Sequence, residues 1–195
     1  NVRFPQYPLL TSVHPDVKTP AMSSWNLSLQ RQFGPSWLAS ASYIGNATQH
    51  VWSLRAMNPA VYFPGGACTL NGMPYNPCST TANTNQRRVF SLLKPQEGLY
   101  MGAVAETDDG GTMNYHAMLL SLQKRMSRGI SANANYTLSH CIGDFTETNS
   151  ASPDSDFVYT DPNNGSFDRG ECDTDRRHIF NLTGLAETPQ FASDT

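Results

Sequence analysis

The sequence is short of charge. Asp, Glu, Lys and Arg make up 15% of its 195 residues, against roughly a quarter in an average soluble domain. With a net charge of −3 it has no basic footprint, so a nucleic-acid partner is not expected. It contains no run of 18 apolar residues, which excludes a transmembrane helix. It opens on Asn1-Val2-Arg3-Phe4-Pro5, which is not the pattern of a secretory signal peptide. No Cys-x-x-Cys pair is present and no histidine stands at a useful distance from a cysteine, so a zinc site is not expected. The Gly-x-Ser-x-Gly elbow, the His-Glu-x-x-His pair, the phosphate-cradling loop and the dinucleotide fingerprint are all missing. Ser139 and His140 are adjacent, which on a strand points them to opposite faces and denies them a nucleophile–base pairing. No catalytic residue is expected. The apolar fraction is low at 38%, and Ser, Thr, Asn, Gly and Pro fill the space that Glu, Lys and Leu occupy in a helical bundle. An all-β chain remains.

What the sequence does contain is period-two alternation, arranged in pairs. Trp25, Leu27, Leu29 and Phe33 alternate with Asn26, Ser28, Gln30 and Gln32, with Arg31 the exception on the apolar face. After Gly34-Pro35-Ser36 the chain resumes with Trp37, Ala39, Ala41 and Tyr43. A second pair sets Met118, Leu120 and Leu122 on one arm and Ile130, Ala132, Ala134, Tyr136 and Leu138 on the other, around Ser127-Arg128-Gly129. Phe180 and Leu182 begin a fifth stretch. The pattern predicts a hairpin over about 24–46, a long loop over about 47–113, a hairpin over about 114–140, a long loop over about 141–176 and a strand over about 178–188.

Period two does not say which face is buried, so a soluble secreted sandwich that binds carbohydrate or protein is the alternative, and a hydrolase without a motif a third. Three features favour a membrane barrel. The strands run to roughly 10–12 residues, the length of a tilted crossing, where soluble strands average about 5–6. Their polar faces are Asn, Ser, Gln and Thr, which suit a wet or plugged lumen. Trp25, Trp37, Tyr43, Tyr115 and Tyr136 stand near the ends of the stripes, where interfacial girdles form. Very short turns on one side and long polar loops on the other match periplasmic turns and extracellular loops. The expected fold is an antiparallel up-and-down transmembrane barrel section of about five strands.

The long loops carry Cys68, Cys78, Cys141 and Cys172. A Cys68–Cys78 bond would close a small turn-rich loop, and Cys141–Cys172 would staple a longer one; unpaired thiols are the alternative, and the connectivity stays open. Asp154, Asp156, Asp161, Asn163 and Asp168 supply oxygen ligands of the kind calcium takes, but in no EF-hand spacing and interrupted by Pro162. A solvated loop is the simpler reading, and no other cofactor is expected. Asp108-Asp109-Gly110-Gly111 reads as a turn with both glycines at positive φ. Lys124, Arg125 and Arg128 would sit at the periplasmic headgroup level.

The segments Trp25-Asn26-Leu27-Ser28-Leu29-Gln30-Arg31-Gln32-Phe33-Gly34-Pro35 and Ala41-Ser42-Tyr43-Ile44-Gly45 resemble a hairpin of the Oar-like TonB-dependent outer-membrane receptors. So do Asn83-Thr84-Asn85-Gln86-Arg87-Arg88, the Asp108-Asp109-Gly110-Gly111 turn, Asn114-Tyr115-His116-Ala117, the stretch from Leu120 to Cys141, and Asp175-Arg176-Arg177-His178-Ile179-Phe180-Asn181. The ordered set covers most of residues 20–190. The resemblance implies a barrel of about 22 strands around a plug, of which this chain would be an interior section of wall, since five strands cannot close. It implies the outer membrane of a Gram-negative bacterium as the location, and import or secretion of a large substrate as the activity. Outer-membrane lipid, the remaining barrel and plug of a parent chain, and the TonB complex would be its partners. No regulatory N-terminal domain, TonB box, plug or terminal aromatic strand end is seen. Arg87, Arg88, Arg176 and Arg177 are expected to contact ligand or lipopolysaccharide phosphates, or to form salt bridges in the lumen or at the rim.

Overall fold

The computed structural model describes residues 3–144 and 159–187. Its elements in chain order are β1 (Leu10–Val13), β2 (Ala21–Phe33), β3 (Trp37–Ala56), β4 (Cys68–Leu70), β5 (Met73–Tyr75), α1 (Val89–Leu93), α2 (Pro95–Gly98), β6 (Val104–Ser127), β7 (Ile130–Gly143), β8 (Gly170–Glu171) and β9 (His178–Ala186). Single turns of 3-10 helix span Thr81–Asn83, Asn85–Arg87 and Gly165–Asp168. The chain divides into two compact units, a strand unit (21–48, 112–143 and 171–187) and a loop unit (3–20, 49–111, 144 and 159–170). The long strands β3 and β6 contribute residues to both.

In the strand unit, β2, β3, β6, β7 and β9 lie side by side in that order. Met118 faces Leu138 across an antiparallel ladder, Leu120 faces Tyr136, and Leu122 faces Ala134. On the other edge of β7, Tyr136 faces Phe180 and Ala134 faces Leu182, again antiparallel. Period two therefore becomes one continuous apolar face, with Asn133, Asn135, Asn181 and Thr183 on the opposite side. The turns close as their residues demand. Gly34 has φ +60°, and Arg128 and Gly129 have φ +53° and +76°, the doubly positive pair that matches the twist of flanking strands in a two-residue hairpin loop.

The apolar face is uncovered. Leu27 is 63% exposed and Leu182 is 66% exposed, and no second sheet packs against them among the described residues of this unit. A sandwich would have buried both side chains in a dry core.

Two expectations about length need correcting. β3 continues to Ala56 and β6 begins at Val104, so both ends of the segment expected as loop over 47–113 are strand. Asp108-Asp109-Gly110-Gly111 is not a turn but an interior stretch of β6, and neither glycine has positive φ. The polar side chains that suggested a turn are satisfied without one. Asp108 Oδ2 accepts from the Gly110 N–H at 3.2 Å, and Asp109 Oδ2 accepts from the Lys18 N–H at 3.0 Å.

The loop unit is held by polar groups more than by an apolar core. β1 pairs in parallel with the start of β6, Leu10 beside Val104, and β4 and β5 form a small hairpin. Asn58 is fully buried. Its Nδ2 donates to Met101 O and Gly102 O, both at 2.8 Å, and its Oδ1 accepts from the Phe90 N–H at 2.9 Å. Each amide atom that leaves water thus gains a partner, as burial requires.

Candidate functional site

Cross-strand packing puts a girdle at one end of the apolar face. Tyr43 Oη and His116 Nδ1 are 2.7 Å apart with their rings stacked. Tyr136 Oη and His178 Nδ1 repeat the arrangement at 2.7 Å. The Trp25 indole lies 6.1 Å from the His116 ring and reaches it over Gly45, where a Cβ would collide with the indole. Amphipathic rings of this kind suit a boundary that is oily on one side and wet on the other. Trp37 stands at the other end, at the start of β3.

Tyr115 does not join this set. It pairs with Cys141, one step out of phase with His116 and His140, so it lies on the polar face. His116, His178 and Gly45 are the members sequence reasoning missed. Their signal was parity: His116 falls in step with Met118 and Leu120, and His178 in step with Phe180 and Leu182.

The turn end of the face carries cations. The Arg31 guanidinium sits 5.3 Å above the Phe33 ring. Lys124 Nζ donates to Ile130 O at 3.3 Å and to Ser127 O at 3.5 Å, so the one ammonium on this stripe of β6 bends toward the turn. From Trp25 to Phe33 the strand rises roughly 27 Å at about 3.4 Å per residue, or roughly 20 Å along the normal of a barrel tilted by about 40°. That approaches the apolar band of about 25 Å that such barrels present to lipid.

All four cysteines are paired. Cys68 bonds Cys78, and Cys141 bonds Cys172. Next to the second bridge, Asp175 accepts from Ser139 Oγ at 2.6 Å and from the Cys141 N–H at 3.0 Å. The Ser139 hydroxyl is thereby committed to Asp175 and to Arg176 O, while His140 Nδ1 receives Arg177 Nη2 at 2.7 Å.

The arginine pairs divide. Arg87 and Arg88 are buried, a correction to their expected part as ligand contacts. Arg87 donates through Nε to Asn83 Oδ1 (2.9 Å), through Nη1 to Val61 O (2.7 Å) and through Nη2 to Thr80 O (2.9 Å). Arg88 donates to Asn85 Oδ1 and Asn58 O, each at 3.0 Å. The Arg87 acceptors are neutral and belong to the chain itself, so this guanidinium clamps the loop unit internally. Arg176 and Arg177 are exposed, and Arg177 pairs with Glu171 at 2.5 Å.

Of the calcium candidates, Asp154 and Asp156 lie outside the described residues. Asp161 Oδ1 accepts from the Asn163 N–H and Asp168 Oδ2 from the Thr160 N–H. Among the described residues, no three His, Cys, Asp or Glu side chains converge as a metal site would require.

Two groups of the loop unit have shifted ionisation. The Lys18 N–H, with help from His50 3.3 Å away, holds the Asp109 carboxyl below the usual carboxylate range. Burial pushes the Tyr159 hydroxyl up, and the neighbouring Asp108 carboxylate adds to the rise.

A long antiparallel sheet with one uncovered apolar face, an aromatic girdle at one end and cations at the other defines a wall of the outer-membrane barrel class. The chain matches the family model described as "Outer membrane beta barrel domain" over residues 1–195. It belongs to that family, and its place is the bacterial outer membrane. No curated protein and no solved structure matches it.

Proposed function

We propose that this chain is a section of the wall of a TonB-dependent outer-membrane receptor, with its long loops forming part of the extracellular surface that captures a large substrate. The observation that carries this reading is the contrast between the two ends of the strands. One end closes in the short turns at Gly34 and Arg128-Gly129. The other leads into a folded, disulfide-closed loop unit with buried hubs at Asn58 and Asn83. A barrel that only anchors itself needs no such investment of ordered polar structure, whereas a capture surface does. Exposed Tyr62, Tyr100 and Leu93 in that unit provide the apolar and aromatic contacts that binding surfaces favour. The ordered resemblance to the Oar-like receptors supports the energy-coupled form of the reading. Partners would then be outer-membrane lipid, the remaining barrel and plug, and the TonB complex.

The test is in the native host. Site-specific cross-linking of the protein that carries this chain should capture the periplasmic domain of TonB, and substrate uptake or release should stop when the proton-motive force is collapsed. A barrel that captures no TonB and works unchanged without the proton-motive force would sink the receptor reading. It would leave a passive pore or an anchor.

A further inference from the structure

The apolar face of the strand unit is not smooth. On β3, Ala39 and Ala41 form the floor of a trough walled by Leu29 and Phe33 of β2 on one side and by Leu120 and Leu122 of β6 on the other. On β7, Ala134 stands in register between Leu122 and Leu182, with Tyr136 beside it between Leu120 and Phe180, so the groove crosses the same leucine ridge into a second, shorter trough floored by Ala134 and bounded by Tyr136. The groove they make holds ≈ 520 Å³. Arg31 lines its edge, two residues from the end of β2. Among the described residues its guanidinium meets the Phe33 ring and no carboxylate. Lys124 stands on the same face near the turn of the β6–β7 hairpin, and among the described residues its ammonium meets two carbonyls, which leaves one N–H.

The turn end is also one-sided in charge. Over 29–41, 120–134 and 180–187 the chain carries Arg31, Lys124, Arg125 and Arg128 against Glu187 alone. Two parallel apolar troughs beneath a cationic margin are complementary to a molecule with two acyl chains and a phosphate. We propose that this face holds an anionic diacyl phospholipid of the periplasmic leaflet as a seated ligand. One chain lies in each trough, and the phosphate meets Arg31 and Lys124. Guanidinium suits this position because it is weakly hydrated and presents paired donors to phosphate oxygens. The proposal rests on the outer-membrane location of the wall and is independent of the receptor reading.

The experiment uses the full chain, refolded in zwitterionic detergent with both disulfides formed, and native mass spectrometry as the readout. The probes are phosphatidylglycerol, phosphatidylcholine with the same acyl chains, and bisphosphorylated lipid A. Phosphatidylglycerol should bind in preference to phosphatidylcholine. R31Q should weaken that preference about five-fold, the effect of one cation near a membrane surface, and R31K should keep most of it. A41F, which fills the first trough, should lower the binding of both phospholipids alike. Equal binding of phosphatidylglycerol and phosphatidylcholine would overturn the proposal. So would a preference that survives R31Q, because the turn cations Arg125 and Arg128 would then suffice without a seat. Lipid A binding more tightly than phosphatidylglycerol would overturn the assignment to the periplasmic leaflet.

Discussion

Replacing Arg87 with alanine should unfold the loop unit locally while leaving the strand unit paired. Arg87 is 7% exposed and Asn83 is 1% exposed, so water cannot take over the lost contacts. Three donors disappear, from Asn83 Oδ1, Val61 O and Thr80 O. Hydrogen bonds to a charged group are worth about 1.5–3 kcal/mol each, but the variant no longer has to desolvate a guanidinium on folding, which offsets part of that sum. A net cost of about 3–4 kcal/mol follows, a few hundredfold in the local folding equilibrium. Arg87→Lys should recover little, because an ammonium cannot span three acceptors set around a planar fork. The assay is thermolysin cleavage of the refolded protein, followed by mass mapping. Cleavage within 57–103 should accelerate sharply while β6 and β7 stay protected. If Arg87→Ala is cleaved at the wild-type rate but loses substrate, the guanidinium is a ligand contact after all and the internal clamp is wrong.

Three further perturbations test other parts of the structure. Gly45→Ala places a methyl inside the space of the Trp25 indole, so the ring must leave its seat beside His116, at a cost of about 1–3 kcal/mol; an unchanged urea midpoint and unchanged Trp25 fluorescence would rule out the packing described. Asp109 has a folded pKa below its ordinary value of 3.8, so its contribution is present above that value and is lost as the pH falls below it. Protection of residues 10–18 from proteolysis should therefore drop in strong acid, and Asp109→Asn should remove the pH dependence of that step. Exchanging both Cys141 and Cys172 for serine opens a bridge with a sequence separation of 31, which loop-closure entropy values at about 3–4 kcal/mol; denaturant melts that coincide with wild type would show that Asp175 alone secures this corner.

The parts of the fold that were legible in the sequence are those where one strand face meets lipid and the other meets polar surroundings. Only there does the pleat impose a clean alternation, and Ile130 to Leu138 follows it without an error. Beyond the girdle the rule lapses. Along His50 to Ala56 and Val104 to Gly111 most residues of both faces are half-buried, Trp52 and Gly110 excepted, so no clean alternation survives, and Asp108-Asp109-Gly110-Gly111 resembles a turn although its carboxylates are answered by the Gly110 and Lys18 N–H groups. Tyr115 is misread for a different reason. Its residue type suggests a girdle, but its parity with Ala117 and Leu119 already puts it on the other face. The burial of Arg87 was not legible at all. Its acceptors include carbonyls contributed by Val61 and Thr80, and a backbone oxygen leaves no trace in residue type.

The two units also rely on different solvents for their order. In the strand unit Leu27 and Leu182 are exposed, so their transfer out of water depends on lipid rather than on other protein. Cross-strand pairs such as Tyr43–His116 and Tyr136–His178 then fix where that lipid contact ends. The loop unit has little apolar area to bury: Leu70, Ala103 and Ala105 are among its few buried apolar side chains. Its order comes from amide hubs, two clamped arginines and a short-range disulfide, all of which work in water. This division explains why charge is scarce in the sequence as a whole. Charges are unwelcome on a lipid face, and in the loop unit the neutral Asn83 amide and the backbone carbonyls of Val61 and Thr80 receive the Arg87 guanidinium where a carboxylate would have to lose its own hydration first.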